Sequence, residues 1–454
     1  MNKITLGILV LISIVGCRER TNRDLKKNKA VIEVNNSIPN LNFYIEDGGS
    51  MEGFFFESSS FNNSVTEVFR KLSKKANKSK LKLIQNKFLD TKVFDIDKTE
   101  IVKIISNLDK HKRPDKIGES NLKEMIKKCI QDTKNNSVSA LVSDFIYFDS
   151  DAANFKSELA QILDDNNIDI TILKFTSLFN GTYFYDKKLN KKEEINSIRP
   201  YYIWLFGSTQ NLETLNTSDE SLYKKLSGYE NLMSFSKYDY NNDFDFTVLP
   251  NTCKKGRFEL DREKATQNSV KGLKNIEFER SQNNFEFSIA VDLSKIPLNE
   301  DYITDTSNYN FKDGDYRILG VYKLMDMKFN NGNNEVAMVD QNYISNNKKY
   351  THIITFQSKG KIAKDIKLQL KKSIPNWMRN SSVETENIIN NTNKTYKFSN
   401  FISALSEVYI SEDKPYIEIN ISLKNKQSKS YFGLIIFAVI AVTIIIYLKF
   451  KKQN

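Results

Sequence analysis

Histidine is almost missing from this chain, with two in 454 residues. Neither His111, inside Asp109-Lys-His-Lys-Arg113, nor His352, inside an apolar strand-like stretch, has a partner at metal-ligand spacing, which argues against a zinc enzyme. There is no Gly-x-Ser-x-Gly elbow and no phosphate loop, so two common catalytic and nucleotide-binding arrangements drop out. No repeat period is visible between residues 230 and 428. Cysteine is scarce as well: Cys17, Cys129 and Cys253 are the only three. One disulfide between Cys129 and Cys253 is open in an oxidising compartment. Cys129 lies in the amphipathic stretch Leu122 to Ile130, however, where it also reads as a small buried apolar residue.

What is present points to a packed body. Hydrophobic residues make up 40% of the chain, with frequent Phe and Tyr, too apolar a composition for a disordered polymer. The net charge of +11 is spread over Lys74-Lys75, Lys110 to Arg113, Lys187 to Lys192 and Lys371-Lys372 rather than gathered on one helix. A spread excess reads as solvated surface, with attraction to anionic lipid headgroups as a secondary effect. No nucleic-acid recognition motif accompanies it, so nucleic acid is not an expected partner.

The two ends carry separate signals. Lys3 precedes the apolar stretch Ile4 to Val15 and then Gly16-Cys17, the parts of a secretory signal. The stretch is shorter than the roughly 20 residues a membrane span needs. Ile14-Val15-Gly16-Cys17 resembles a bacterial lipobox, which implies removal of residues 1–16 and acylation of Cys17. Residues 17–38 are polar and read as a tether. At the other end Tyr431 to Leu448 is uninterrupted and apolar, long enough as a helix for about 27 Å. It predicts a transmembrane helix over 431–448 with a short cytoplasmic tail, 449–454. Together these signals predict an exported body, periplasmic in the simplest geometry, held to the cell membrane at both ends. No acidic run follows Cys17 to cue surface display.

Between the ends, helix-like and strand-like patterns alternate up to about residue 228. Leu41 to Glu46, Leu81 to Ile84, Val138 to Asp144, Ile168 to Phe175 and Arg199 to Gly207 read as strands. Asn62 to Ala76, Thr99 to Leu108, Asn121 to Gln131 and Ala152 to Asp164 read as helices, and Leu212 to Leu226 as partly helical. This order predicts a doubly wound α/β domain over 39–228. From about 230 the texture becomes short alternating stretches, such as Phe285 to Asp292 and Tyr416 to Leu423. They predict a mainly β, sandwich-like region over 229–428.

Open α/β sheets place their sites at the carboxyl ends of strands. There Tyr44-Ile-Glu-Asp-Gly-Gly-Ser-Met-Glu-Gly-Phe54 resembles the first loop of von Willebrand factor A-like domains, which run Asp-x-Ser-x-Ser and often continue Met-x-Gly. Gly118-Glu-Ser-Asn-Leu122 resembles the second loop's Gly-x-Thr-x-Leu, and Leu141-Val-Ser-Asp144 the strand leading to the third loop's Asp. The resemblance implies an Mg²⁺ site built from Glu46, Ser50, Ser120 and Asp144, open to an acidic group of a partner. The sequence departs from the pattern in three places: Glu46 is one methylene longer than Asp, Gly48 has no hydroxyl, and Ser120 replaces Thr. Asp47 is expected to point to the other side of the strand. The function implied is non-enzymatic: binding of an envelope protein or glycan, or scaffolding of an envelope complex. The alternative from another class is a periplasmic hydrolase using Glu46, Asp47 and Asp144 as a carboxylate cluster, with or without metal.

Overall fold

Leu41, Phe43 and Ile45 alternate with Asn42, Tyr44 and Glu46, and this stretch forms β1 (Ile38–Glu46) at the centre of a seven-stranded sheet. All six side chains are buried, because helices cover both faces of the sheet. The computed structural model describes residues 37–56, 59–85, 90–110, 121–147, 152–186, 191–251, 255–266, 269–281, 284–312, 316–324, 349–358, 365–385, 391–411, 413–425 and 439–445. The other strands of this sheet are β2 (Ala76–Gln85), β3 (Asp90–Phe94), β4 (Val138–Ser143), β5 (Asp169–Asp186), β6 (Lys191–Gly207) and β7 (Tyr229–Phe235), in the order β3-β2-β1-β4-β6-β5-β7.

Period-2 alternation sends odd and even residues of each strand to opposite cores. Tyr201, Ile203 and Leu205 of β6 meet Val65, Phe69 and Leu72 of α1 (Ser60–Ser73), Ile101 and Ile105 of α2 (Lys98–Ser106), and β1's Phe43 and Ile45. Tyr202, Trp204 and Phe206 face the other way, towards α3 (Leu122–Gln131) and α4 (Ala152–Asp165). Helix starts follow the polar residues before them: Ser59 accepts from the Phe61 N–H, Asp97 from Thr99 and Glu100, and Asn121 from Glu124. A short α5 (Thr209–Leu215) follows β6, capped by Ser208.

The remaining chain builds two further sheets. One contains β8 (Phe246–Leu249), β13 (Glu286–Val291), β15 (Tyr316–Lys323) and β16 (His352–Ser358), all antiparallel. The other contains β9 (Arg257–Leu260), β12 (Gly272–Glu277), β14 (Tyr309–Phe311), β17 (Asp365–Leu370) and β20 (Ile417–Asn425). Two-residue strands form a third and fourth pairing: β10 (Ala265–Thr266) with β11 (Ser269–Val270), and β18 (Ser382–Val383) with β19 (Thr395–Tyr396). Among the described residues three helices interrupt this region: α6 (Glu300–Thr304), α7 (Asn376–Asn380) and α8 (Phe398–Tyr409). Phe287, Ile289, Phe356, Leu368 and Ile419 share one apolar cluster with Trp204 and Met233 of the first sheet. That cluster therefore runs straight across the expected boundary at 228–229. Helix α8 is the link: Phe401 packs on Phe145 at 5.4 Å, Phe155 at 5.0 Å and Trp204 at 5.8 Å between ring centroids.

Two expectations are corrected. The architecture is not a doubly wound α/β domain with a separate β region: it is a mixed, sheet-rich body, and within its seven-stranded sheet only β2, β1 and β4 pair in parallel. The cause is local. Only four residues, 187–190, separate β5 from β6, whereas a parallel crossover needs a dozen or more, so the two strands return antiparallel as a long hairpin. The second correction concerns the transmembrane helix over 431–448. Among the described residues no helix is long and apolar enough to cross a membrane. Of that run only 439–445 is described, and these residues are helical. Residues 1–16, Cys17, most of the tether, His111, Ser120, Cys253 and the tail 449–454 lie outside the described residues. Cys129 is buried and unbridged.

Candidate functional site

β1 and β4 are parallel neighbours, so their carboxyl ends bring Glu46 and Asp144 to the same edge of the sheet. After Glu46 the chain passes Asp47 and Gly48 into a 3-10 turn, Gly49–Phe54. That turn swings Ser50 back, and its Oγ donates to Asp144 Oδ1 at 3.3 Å. Three of the four expected metal-site residues are thus gathered at the strand ends, and Ser120 lies outside the described residues. Asp47, expected to point to the other side of the strand, is buried as well. It is 3% exposed, against 1% for Glu46 and 1% for Asp144.

The turn after β4 is tightly determined. Phe145 N–H donates to Ser143 Oγ at 2.8 Å and Ile146 N–H to Asp144 Oδ1 at 3.2 Å. Phe145 itself sits at φ +54, a left-handed conformation that costs a bulky residue of order 1–3 kcal/mol. Its ring, stacked on Trp204 at 4.5 Å and edge-on to Phe401, supplies the packing that holds it there. Thr395, from β19, donates to the carbonyl of Asp144 at 3.4 Å, so the C-terminal part of the chain also fixes this corner.

The sequence reading missed the residue that dominates the electrostatics. β4 pairs with β6 only as far as Ser143 opposite Tyr202. The hairpin of β5 and β6 continues past that point and folds over the strand ends, carrying Arg199 with it. Arg199 is 1% exposed, its guanidinium lying over the rings of Phe179 at 5.0 Å and Tyr183 at 4.5 Å. Burial pulls the guanidinium below its ordinary value, opposed by the negative charge of Asp144. Burial likewise raises the Asp144 carboxyl, opposed by Arg199, the Ile146 N–H and Ser50. The two form no direct ion pair, and Asp144 Oδ2, Arg199 Nε and Arg199 Nη1 are buried without a hydrogen-bond partner. A lone arginine opening the apolar run Tyr201 to Phe206 was the visible signal.

The hairpin closes tightly. A Cβ on Gly181 would stand 2.9 Å from the Cα of Gly53, and one on Gly53 would strike the Phe179 ring at 2.5 Å. Only glycine lets the turn and the hairpin approach this closely. Ser177 of the hairpin meanwhile meets Ser59 at 2.9 Å and Ser60 at 3.0 Å and accepts from Phe61 N–H at 3.1 Å, docking on the start of α1.

These residues do not fit a divalent cation. Mg²⁺ asks for near-octahedral oxygen ligation with retained waters. Here a fixed positive charge, Arg199, already occupies the buried region facing Asp144, and Gly48 offers no side-chain ligand. Among the described residues no group of three His, Cys, Asp or Glu side chains is placed to hold a metal. Nor does the cluster suit hydrolysis, since its three carboxylates are at most 3% exposed. No family model matches the chain, and neither the curated proteins nor the solved structures offer a match.

Elsewhere the other histidine is settled. His352 lies on β16, 4% exposed, with Nε2 at 2.9 Å from Glu300 Oε1 and Nδ1 at 2.8 Å from Thr351 Oγ1. It is a packed, hydrogen-bonded residue that fastens α6 to the sheet. Lys323 joins from β15, 2.9 Å from Glu300.

Proposed function

We propose that this chain is a non-catalytic binding protein of the cell envelope, exported and tethered through Cys17, in which an internal arginine, Arg199, stands where the loop resemblance would put a metal. One observation carries the reading: the buried hairpin cation Arg199 facing Asp144 over the strand ends. A metal-dependent binding face needs an open coordination position, and a hydrolase needs substrate access to its carboxylates. The hairpin speaks against both, which supports recognition by surfaces away from the strand ends. The tether rests on the residue pattern Ile14 to Cys17, and the family likeness on the three loop sequences around Ser50, Ser120 and Asp144.

The test is co-sedimentation of the purified full chain with insoluble envelope polymer. Retention in the pellet without release of soluble fragments, unchanged by EDTA and by Asp144→Asn, is the expected result. Release of soluble sugar or peptide fragments that Asp144→Asn abolishes would replace this reading with the hydrolase. Absence of retention would remove the binding reading itself.

A further inference from the structure

A second polar feature lies far along the chain from the strand ends, and it is open. Residues 299–308 and 371–379, with Asn231 of β7 behind them, enclose a cleft of about 320 Å³. Sites for small ligands run from roughly 300 to 1,000 Å³, so this one has room for a ligand of one or two rings.

The floor is rigid and partly apolar. Trp377, half-buried, packs against the main core, and Tyr302 beside it is 4% exposed. The Tyr302 hydroxyl is tied to Lys371 O at 2.8 Å and Ser373 Oγ at 2.8 Å, and it accepts from Ser373 N–H at 3.1 Å. Asn308 Nδ2 donates to Tyr302 O at 2.9 Å, and Asn299 caps the same turn through Tyr302 N–H at 3.1 Å. One wall is α6, pinned from behind by the contacts of Glu300 to His352 and Lys323. The opposite wall is the segment leading into α7.

The rim is polar and unspent. Asp301 on one wall, Lys371 and Arg379 on the other and Asn231 at the back make no side-chain hydrogen bond or ion pair among the described residues. Asp301 and Asp305 balance Lys371 and Arg379, so the rim carries no net charge. A rim without net charge does not attract a polyanion such as a nucleotide or a sulfated chain. Acceptors (Asp301 and Asp305), donors (Lys371 and Arg379) and one amide that does both (Asn231), set around an aromatic floor, match a molecule with hydroxyls on its edges and C–H groups on its faces.

We infer that this cleft binds a neutral carbohydrate unit of one or two sugar rings, with Trp377 beneath the ring and Asp301 and Arg379 holding hydroxyls from opposite sides. The inference rests on the binding reading given above and names the site and ligand class for it.

The chain supplies its own reporter, because Trp204 and Trp377 are its only tryptophans and Trp204 is fully buried. In the full-length Trp204→Phe protein, fluorescence reports Trp377 alone. The probes are N,N′-diacetylchitobiose, cellobiose and mannobiose, with a disulfated disaccharide as the anionic control. The expected result is a saturable change with at least one neutral disaccharide and none with the control. Affinity should fall tenfold or more in both Asp301→Asn and Arg379→Ala at unchanged thermal midpoint. No saturable change with any neutral disaccharide, a response to the sulfated control alone, or binding indifferent to both substitutions would overturn it. In the co-sedimentation assay, cleft variants that pellet as well as the parent would sink this site while leaving the binding reading in place.

Discussion

The strand-end cluster and the α6–α7 cleft are both built from acids and bases brought together from distant parts of the chain, and they use their charges in opposite ways. At the strand ends Asp144 and Arg199 are almost wholly removed from water, and a glycine-glycine contact shuts the hairpin over them. In the cleft Asp301, Lys371 and Arg379 stay exposed, held apart by a stiff floor. Buried charge is costly to leave uncompensated and so ties its surroundings to one arrangement, whereas exposed charge adds little to stability and remains available to a ligand. Sequence inspection gave the first region the functional role; the inference drawn above from solvent exposure proposes the second.

The comparison breaks most readily at Arg199. Arg199→Met leaves Asp144 buried against an apolar wall and is expected to cost roughly 3–5 kcal/mol, read as a drop in urea midpoint. Adding Asp144→Leu should return most of that loss. If the single variant unfolds at the same urea concentration as the parent, the two side chains do not sense one another. Gly181→Ala comes next, at about 1–3 kcal/mol, since its methyl drives into the backbone at Gly53. A melting point equal to the parent's would mean that the hairpin is not closed this tightly.

Glu300 sharpens the contrast from the cleft side. Burial alone would raise its carboxyl, but hydrogen bonds from His352 and Lys323, with their charges, carry it down from 4.5 to about 2. A lowered folded-state value means stability that is present above pH 4.5 and lost as pH falls towards 2. Glu300→Gln should therefore cost about 1–2 kcal/mol at neutral pH, allowing for its 25% exposure, and flatten the acid limb of the stability profile. An unchanged acid limb would remove Glu300 as the fastener of α6. The smallest effect belongs to Arg379→Ala, which should change stability by no more than about 0.5 kcal/mol by calorimetry while weakening disaccharide binding.

Much of the fold was legible where one period dominated a stretch. Val65, Val68, Phe69 and Leu72 repeat at helical spacing and lie on the buried face of α1; Leu41, Phe43 and Ile45 alternate and lie on one face of β1. The hairpin was not legible, because Ser177 to Tyr185 and Lys191 to Ile198 mix polar and apolar residues, and only their pairing with each other makes them strands. Without the hairpin, β5 and β6 read as ordinary members of a parallel sheet and Arg199 as a strand's polar end. Of the expected site, Glu46, Ser50 and Asp144 were found from local motifs, since strand-end loops bear a local signature. Arg199 and the cleft carry none: the cleft joins residue 231 to residues near 301 and 379, a juxtaposition made only by tertiary packing. The apolar run at 431–448 shows a different limit. Composition sets hydropathy, but a span also needs a continuous helix of about 20 residues, and of this run the structure describes only 439–445.

Helix α8 has a consequence in time. Phe398, Phe401 and Leu405 complete the apolar face formed by Phe145, Trp204 and α4, yet they are synthesised long after the last strand of that sheet ends at Phe235. At about 5–20 residues per second, the ribosome needs roughly 10–35 s to travel from residue 235 to residue 409. For that interval α3 and α4 already cover part of that face, and the part that α8 will cover stays bare, with Phe145 and Trp204 at its edge. A chain truncated before residue 398 would keep that bare face permanently, as a sticky fragment rather than a smaller working protein.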